Sequence, residues 1–241
     1  MASKKKLNGT HIYAEFKQET VQARVKKMLD LRDQVDVPSA HVKFSYGNRK
    51  TTALVPSVSL IPVADCCNCA ACSRGCYDIR HVCCYNESQK QRANNSAIYA
   101  KDPQKYFEEI EHAVKYLRFF RWHIGGDIRD FTYFLNVVRI AQNTPTCEFL
   151  IFTKNWAVVN TWLDLHDLPK NLHVILSGWR GDVDVNEHKL PVSSPVWKDG
   201  SMSCMTTENR IWCPGDCSQC AETNAGCWGA KNGDTILFNA H

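Results

Sequence analysis

The chain contains no apolar stretch approaching the roughly 20 residues that a membrane-spanning helix needs, so no such helix is expected. Charge of one sign is scarce as well. The 29 Lys and Arg stand against 25 Asp and Glu, a net of +4. That balance is too mild to name nucleic acid as a partner by itself. There is no Gly-x-Ser-x-Gly elbow, no P-loop and no His-Glu-x-x-His, so serine hydrolases, P-loop nucleotidases and zincin proteases lack their motifs here. No internal repeat argues for a solenoid. The opening Met-Ala-Ser-Lys-Lys-Lys is basic but leads into no apolar run, so a secretory signal is not expected and the expected location is the cytoplasm.

What the chain does have is 13 cysteines. Seven fall between Cys66 and Cys84, five between Cys204 and Cys227, and Cys147 stands alone. The total is odd, which argues against a disulfide scaffold. In a reducing compartment, dense thiols are more often metal ligands.

Cys66, Cys69, Cys72 and Cys76 are spaced C-x2-C-x2-C-x3-C, the bacterial ferredoxin spacing for a [4Fe–4S] cubane. A tight loop of this kind can wrap a cube while backbone amides point at its sulfides. Tyr77 replaces the proline that usually follows. Zinc sites also use C-x2-C pairs, so a zinc ion stays as the alternative to a cubane. Cys67 could substitute for Cys66. Cys83 and Cys84 could be ligands too but read better as small buried hydrophobes, and Cys147, at the start of an apolar strand, as structural.

Cys213, Cys217, Cys220 and Cys227 form a second set, C-x3-C-x2-C-x6-C, followed by Trp228 and interleaved with Gly215 and Gly226. Four thiols again suit a cubane or a zinc ion, with Cys204 as a spare ligand. Two [4Fe–4S] clusters are therefore the expectation.

Between and after these sets the chain alternates. Val21 to Val35 reads as an amphipathic helix ending before Pro38. Tyr46-Gly47-Asn48-Arg49 reads as a hairpin turn, and Val58 to Val63 as a buried strand. Asp102-Pro103 opens a helix with an apolar face on Tyr106, Phe107, Ile110, Ala113, Val114 and Leu117. Phe120 to Ile124 is a strand, Phe131 to Ala141 a helix, Cys147 to Thr153 a strand, Trp156 to Leu165 a helix and Leu172 to Ser177 a strand. Residues 180–212 read as irregular, and Ile236-Leu237-Phe238 as a last short strand. Repeated βα units predict an α/β fold built on a parallel sheet. The expected form is a partial (β/α) barrel-like sheet. An N-terminal helical arm (1–40) precedes the core domain (41–203), and a cysteine-rich segment (204–241) follows it.

In such folds the site forms at the carboxyl ends of the strands. The first cysteine loop, Gly125-Gly126-Asp127, Lys154 and Ser177 all fall at such ends. Arg121 and Arg129 flank the glycines and could bind an anion. His123 reads as a core histidine or a site residue.

Taken in order, a strand, a cysteine loop, a helix and a strand ending in Gly-Gly-Asp resemble the radical S-adenosylmethionine (SAM) superfamily. That resemblance implies SAM as cofactor, with its amino group met by Asp127 beside Gly125 and Gly126, an open iron on Cys69, Cys72 and Cys76, and an auxiliary cluster on the tail. The chain departs from that pattern in carrying Asp rather than Glu and C-x2-C-x3-C rather than C-x3-C-x2-C.

The chain as a whole resembles the "gene product 88" family of cysteine-rich phage and prophage proteins. The matching stretches are Phe44 to Thr51, Cys72 to Tyr77, Arg121 to Ile128, Phe152-Thr153-Lys154 and Cys213 to Trp228. The resemblance implies a phage origin and supplies no reaction.

Two classes of function follow: an iron–sulfur enzyme or redox protein with an electron donor and an unknown small-molecule or macromolecular substrate, or a non-enzymatic phage accessory protein stapled by metal. The second would bind a host protein or nucleic acid, for which Lys4, Lys5, Lys6 and Lys90 to Arg92 offer modest basic surface.

Overall fold

In the computed structural model of the chain, the structure describes residues 15–47, 53–67, 72–179, 185–197, 200–202 and 209–239. Its centre is a seven-stranded sheet in the order β1-β2-β3-β4-β5-β7-β6, with every neighbouring pair parallel. The strands are β1 (Ser57–Val58), β2 (Phe119–Trp122), β3 (Glu148–Thr153), β4 (Leu172–Ser177), β5 (Val192–Val196), β6 (Asn209–Trp212) and β7 (Asp234–Asn239). The first five lie side by side in chain order, the winding of a (β/α) barrel wall left open.

The helices are α1 (Gln18–Asp33), α2 (Tyr77–Cys84), α3 (Asn86–Lys101), α4 (Pro103–Val114), α5 (Phe131–Asn143), α6 (Trp156–Leu163) and α7 (Cys217–Glu222). Strand alternation sorts the side chains into two layers. Phe120 and Trp122, Phe149 and Ile151, Val174 and Leu176 face α3 to α6 in the main core. Phe119, Leu150 and Ile175 face the other way, onto Cys220, Ala221 and Trp228 of the C-terminal segment. The cysteine-rich tail therefore covers the inner face of the sheet.

Local chemistry explains the helix starts. Asp102, Asp130 and Asn155 cap α4, α5 and α6, each accepting from a backbone N–H three residues on. Pro103 follows its cap in the first turn of α4. α1 packs on α2 and α3, and its Met28 joins Ile61, Ile79 and Val82 in a small core beside the first cysteine loop.

Three expectations need correction. β1 spans two residues rather than Val58 to Val63. Beyond it the chain turns, with Val63 at φ 72 and Asp65 stapling the bend: its carboxylate accepts from Ile61 N at 2.9 Å. Helices α2 and α3 stand where no separate helices were expected. The 180–212 stretch holds β5 and β6 rather than irregular chain only. Of the expected hairpin turn, Gly47 has φ 101, while Asn48 and Arg49 lie outside the described residues, as do Lys4, Lys5 and Lys6.

Candidate metal centres and the strand ends between them

The first cysteine group follows β1 at the carboxyl edge of the sheet. Cys66, Cys72 and Cys76 are half-buried and in no disulfide; Cys69 lies outside the described residues. A short turn, Ser73–Gly75, joins Cys72 to Cys76, and Cys76 stands at the start of α2. Burial pushes the Cys76 thiol up to about 12, and Cys66 and Cys72 act on it electrostatically, so three thiols of this loop share one neighbourhood. Such thiols must shed protons to ligate a metal.

The second group is described in full. Cys213 is tied to β7 by its N–H to Leu237 O at 2.8 Å. Asp216 caps α7 through Gln219 N at 3.0 Å, which sets Cys217 and Cys220 on successive turns of one short helix. Gly226 turns the chain back at φ +53, close enough that a Cβ there would stand 3.1 Å from Cys220 Sγ. Trp228 then anchors the segment, edge-on to Phe119 at 5.3 Å between ring centres. Burial pushes Cys227 up to about 12, and its thiol feels Cys213, Cys217 and Cys220 together. The four thiols thus share one electrostatic neighbourhood beside the inner sheet face.

Among the described residues, only Asp164, Glu187 and His188 bring three ligand atoms within 4.8 Å of one another. That trio is a surface group in which His188 Nε2 and Asp164 Oδ1 stand 3.0 Å apart. No three of the C-terminal sulfurs approach so closely.

The glycine motif does work inside the fold. A Cβ at Gly125 would overlap the Asp78 carboxylate. Asp78 in turn pairs with Arg92 through two contacts of 2.6 and 2.7 Å, with both side chains almost wholly buried. Gly126, at φ +82, passes against Leu60. Asp127 is buried, which raises its pKa. Its carboxylate accepts from Thr153 Oγ1 at 2.6 Å, Ile128 N at 2.7 Å and Lys154 N at 2.8 Å, tying the end of β2 to the end of β3. Ser59 Oγ accepts from Ile124 N and Gly125 N, and the Tyr77 hydroxyl donates to Ile124 O. The sequence reading missed Asp65, Asp78, Arg92 and Ser59, which shape this turn.

Lys154 and Ser177 come together: Nζ donates to Ser177 Oγ at 2.9 Å and lies over the Trp179 ring at 5.5 Å. The two arginines part company. Arg129 pairs with Asp65 at 2.9 Å, whereas Arg121 forms no ion pair among the described residues. Arg92 is spent in its buried pair and Lys90 meets Glu87 at 2.8 Å, so Lys90 to Arg92 does not present the basic patch expected. His123 is buried at φ 49, and neither ring nitrogen has a hydrogen-bond partner. Cys147 is buried in the core, as expected. Cys84 is exposed, contrary to the reading of it as buried. The side chain of Cys83, and Cys204, lie outside the described residues. No described helix is long and apolar enough to cross a membrane.

A family model described as gene product 88 matches residues 31–206. That span holds the first cysteine group and β1 to β5 and stops before Cys213, so the tail stretch of the resemblance lies outside it. No curated protein and no solved structure matches the chain.

Proposed function

We propose, for a chain that belongs to the gene product 88 family of phage proteins, that it is an iron–sulfur protein holding two [4Fe–4S] clusters. One sits on Cys66, Cys69, Cys72 and Cys76, the other on Cys213, Cys217, Cys220 and Cys227. The observation that carries this reading is the gathering of thiols in two sets, the first with ferredoxin spacing and the second with Cys213, Cys217 and Cys220 all acting on Cys227. Bound cubanes supply one-electron transfer. The chain's own part is to exclude water with Trp228, Phe119 and Leu150, and to hold Cys213 just past the end of β6 and Cys217 and Cys220 on a helix.

The residues do not fit SAM in the role that Gly125, Gly126 and Asp127 were expected to play. The space beside Gly125 is filled by Asp78, the space beside Gly126 by Leu60, and the Asp127 carboxylate already serves three donors.

The test is the iron, zinc and acid-labile sulfide content of protein purified without oxygen. About eight irons and eight sulfides per chain are expected, falling by about half in Cys217→Ser/Cys220→Ser. Zinc without sulfide would end the redox reading and leave a structural metalloprotein.

A further inference from the structure

We infer that Arg121 and Ser57 form a binding site for the oxyanion of a ligand, a carboxylate or a phosphate, on the inner sheet face between the two cysteine groups. Arg121 sits on β2 and pairs in register with Ser57 of β1 and Leu150 of β3. All three therefore point to the inner face, with Ser57 one strand spacing away, about 4.8 Å. Arginine cannot shed its proton to escape a partly buried position. A carboxylate beside it would be the ordinary remedy, and among the described residues none is there. Its Nε–H is buried and donates to nothing, and the neighbouring Ser57 Oγ is likewise buried without a partner.

The guanidinium lies over the Phe152 ring at 4.9 Å, a contact that steadies it, and a guanidinium can meet two oxygens of one anion side by side. The Ser57 hydroxyl supplies a third donor.

The place is as informative as the donors. The field of Arg121 acts on Tyr77, the residue after Cys76, and on Cys227. An anion held there lies between the two thiol sets. Lys154 and Ser177, two and three strands from β1 on the same face, extend the polar strip along which the rest of the ligand would lie. Anion binding stands on these donors alone; that the ligand is a redox substrate rests on the iron–sulfur reading.

The experiment titrates inorganic phosphate, and separately acetate and succinate, into the metal-loaded protein by calorimetry. Iron, sulfide and circular dichroism are recorded on each sample. The wild type is expected to bind one class, phosphate or carboxylate, with one site per chain. Arg121→Met should weaken that binding at least tenfold, Arg121→Lys about tenfold because a point charge loses the fork, and Ser57→Ala several-fold. Phenylglyoxal modification of Arg121, read by mass spectrometry, should be slowed by the same anion. Absence of anion binding in the folded wild type would overturn the inference, as would equal binding by a folded Arg121→Met. So would a variant that shifts only the clusters' reduction potential, since Arg121 would then be their counter-charge. Protein that binds the anion yet carries no iron or sulfide would sustain this site and sink the iron–sulfur reading.

Discussion

At the scale of single residues, the ion pair of Asp78 and Arg92 is the most consequential contact at the strand ends. Both side chains are almost out of water, so removing one partner leaves a charge that burial cannot tolerate. Asp78→Asn should cost about 3–5 kcal/mol, read as a lower urea midpoint. His123 gives a pH prediction. Burial lowers its pKa to about 3, against about 6.5 in an unfolded chain. Between those values the unfolded state takes up a proton that the native state refuses. Stability is then full above about pH 6.5 and declines as pH falls toward 3, by about 1.4 kcal/mol per unit. His123→Phe should flatten that slope relative to the wild type in urea titrations at pH 7, 6 and 5; parallel slopes would show the imidazole is protonated in the native state. The sequence marked Asp127, Lys154 and Ser177 as strand-end polar residues, and the structure places them there. It could not mark Thr153 as the partner of Asp127 or Asp78 as the neighbour of Gly125, because those pairings join positions 26 and 47 residues apart and arise only once the strands are in register.

At the scale of elements, legibility follows amphipathicity and caps. α4 and α5 carry both an apolar stripe and an Asp cap, and both were readable. Asp130→Ala should cost about 1 kcal/mol, measured by thermal unfolding against the wild type. α3 shows the opposite case. It buries Gln89, Arg92, Asn94, Asn95 and Ser96, so no apolar period betrays it. Its polar side chains serve the backbone instead: Asn95 donates to Lys43 O at 2.8 Å and Ser59 O at 3.1 Å and accepts from Lys43 N. The signal available was the run of helix formers from Gln89 to Ala93, ahead of the Asp102 cap of α4. β5 escaped notice because Pro195 and two serines interrupt its apolar pattern, although the strand is mostly buried between β4 and β7. Trp228 is the largest tail side chain packed on the inner face, and Trp228→Ala should cost about 3–5 kcal/mol, seen as a fall in the urea midpoint and, on the iron–sulfur reading, in retained iron.

At the scale of the whole molecule, the first five strands follow chain order, and for the first four that was written in the βα alternation. The fate of the tail was not. Nothing local tells a sequence that the cysteine-rich segment folds back over Phe119, Leu150 and Ile175. The burial is a matter of which sheet face the earlier helices leave uncovered. On the iron–sulfur reading, this arrangement ties metal to shape. Stripping metal under reducing conditions should loosen α7 and Trp228 from the sheet, giving a red-shifted tryptophan emission and faster amide exchange in residues 213–228. Exchange in β2 to β4 should change little, because their other face keeps its helices. Equal exchange across both regions would mean the tail holds without its metal.

The strand order also sets a sequence of events in synthesis. β6 pairs only with β7, and β7 is made after it. As the chain leaves the ribosome, Cys213, Cys217, Cys220 and Cys227 all emerge before the strand that seats Cys213 exists. Until Asp234–Asn239 slots between β5 and β6, those four thiols hang on an unfinished edge, open to oxygen and to any passing metal. The N-terminal loop, by contrast, can settle once β2 and α3 are out. One chain thus presents two cysteine groups that settle at different times, the later one exposed for longer.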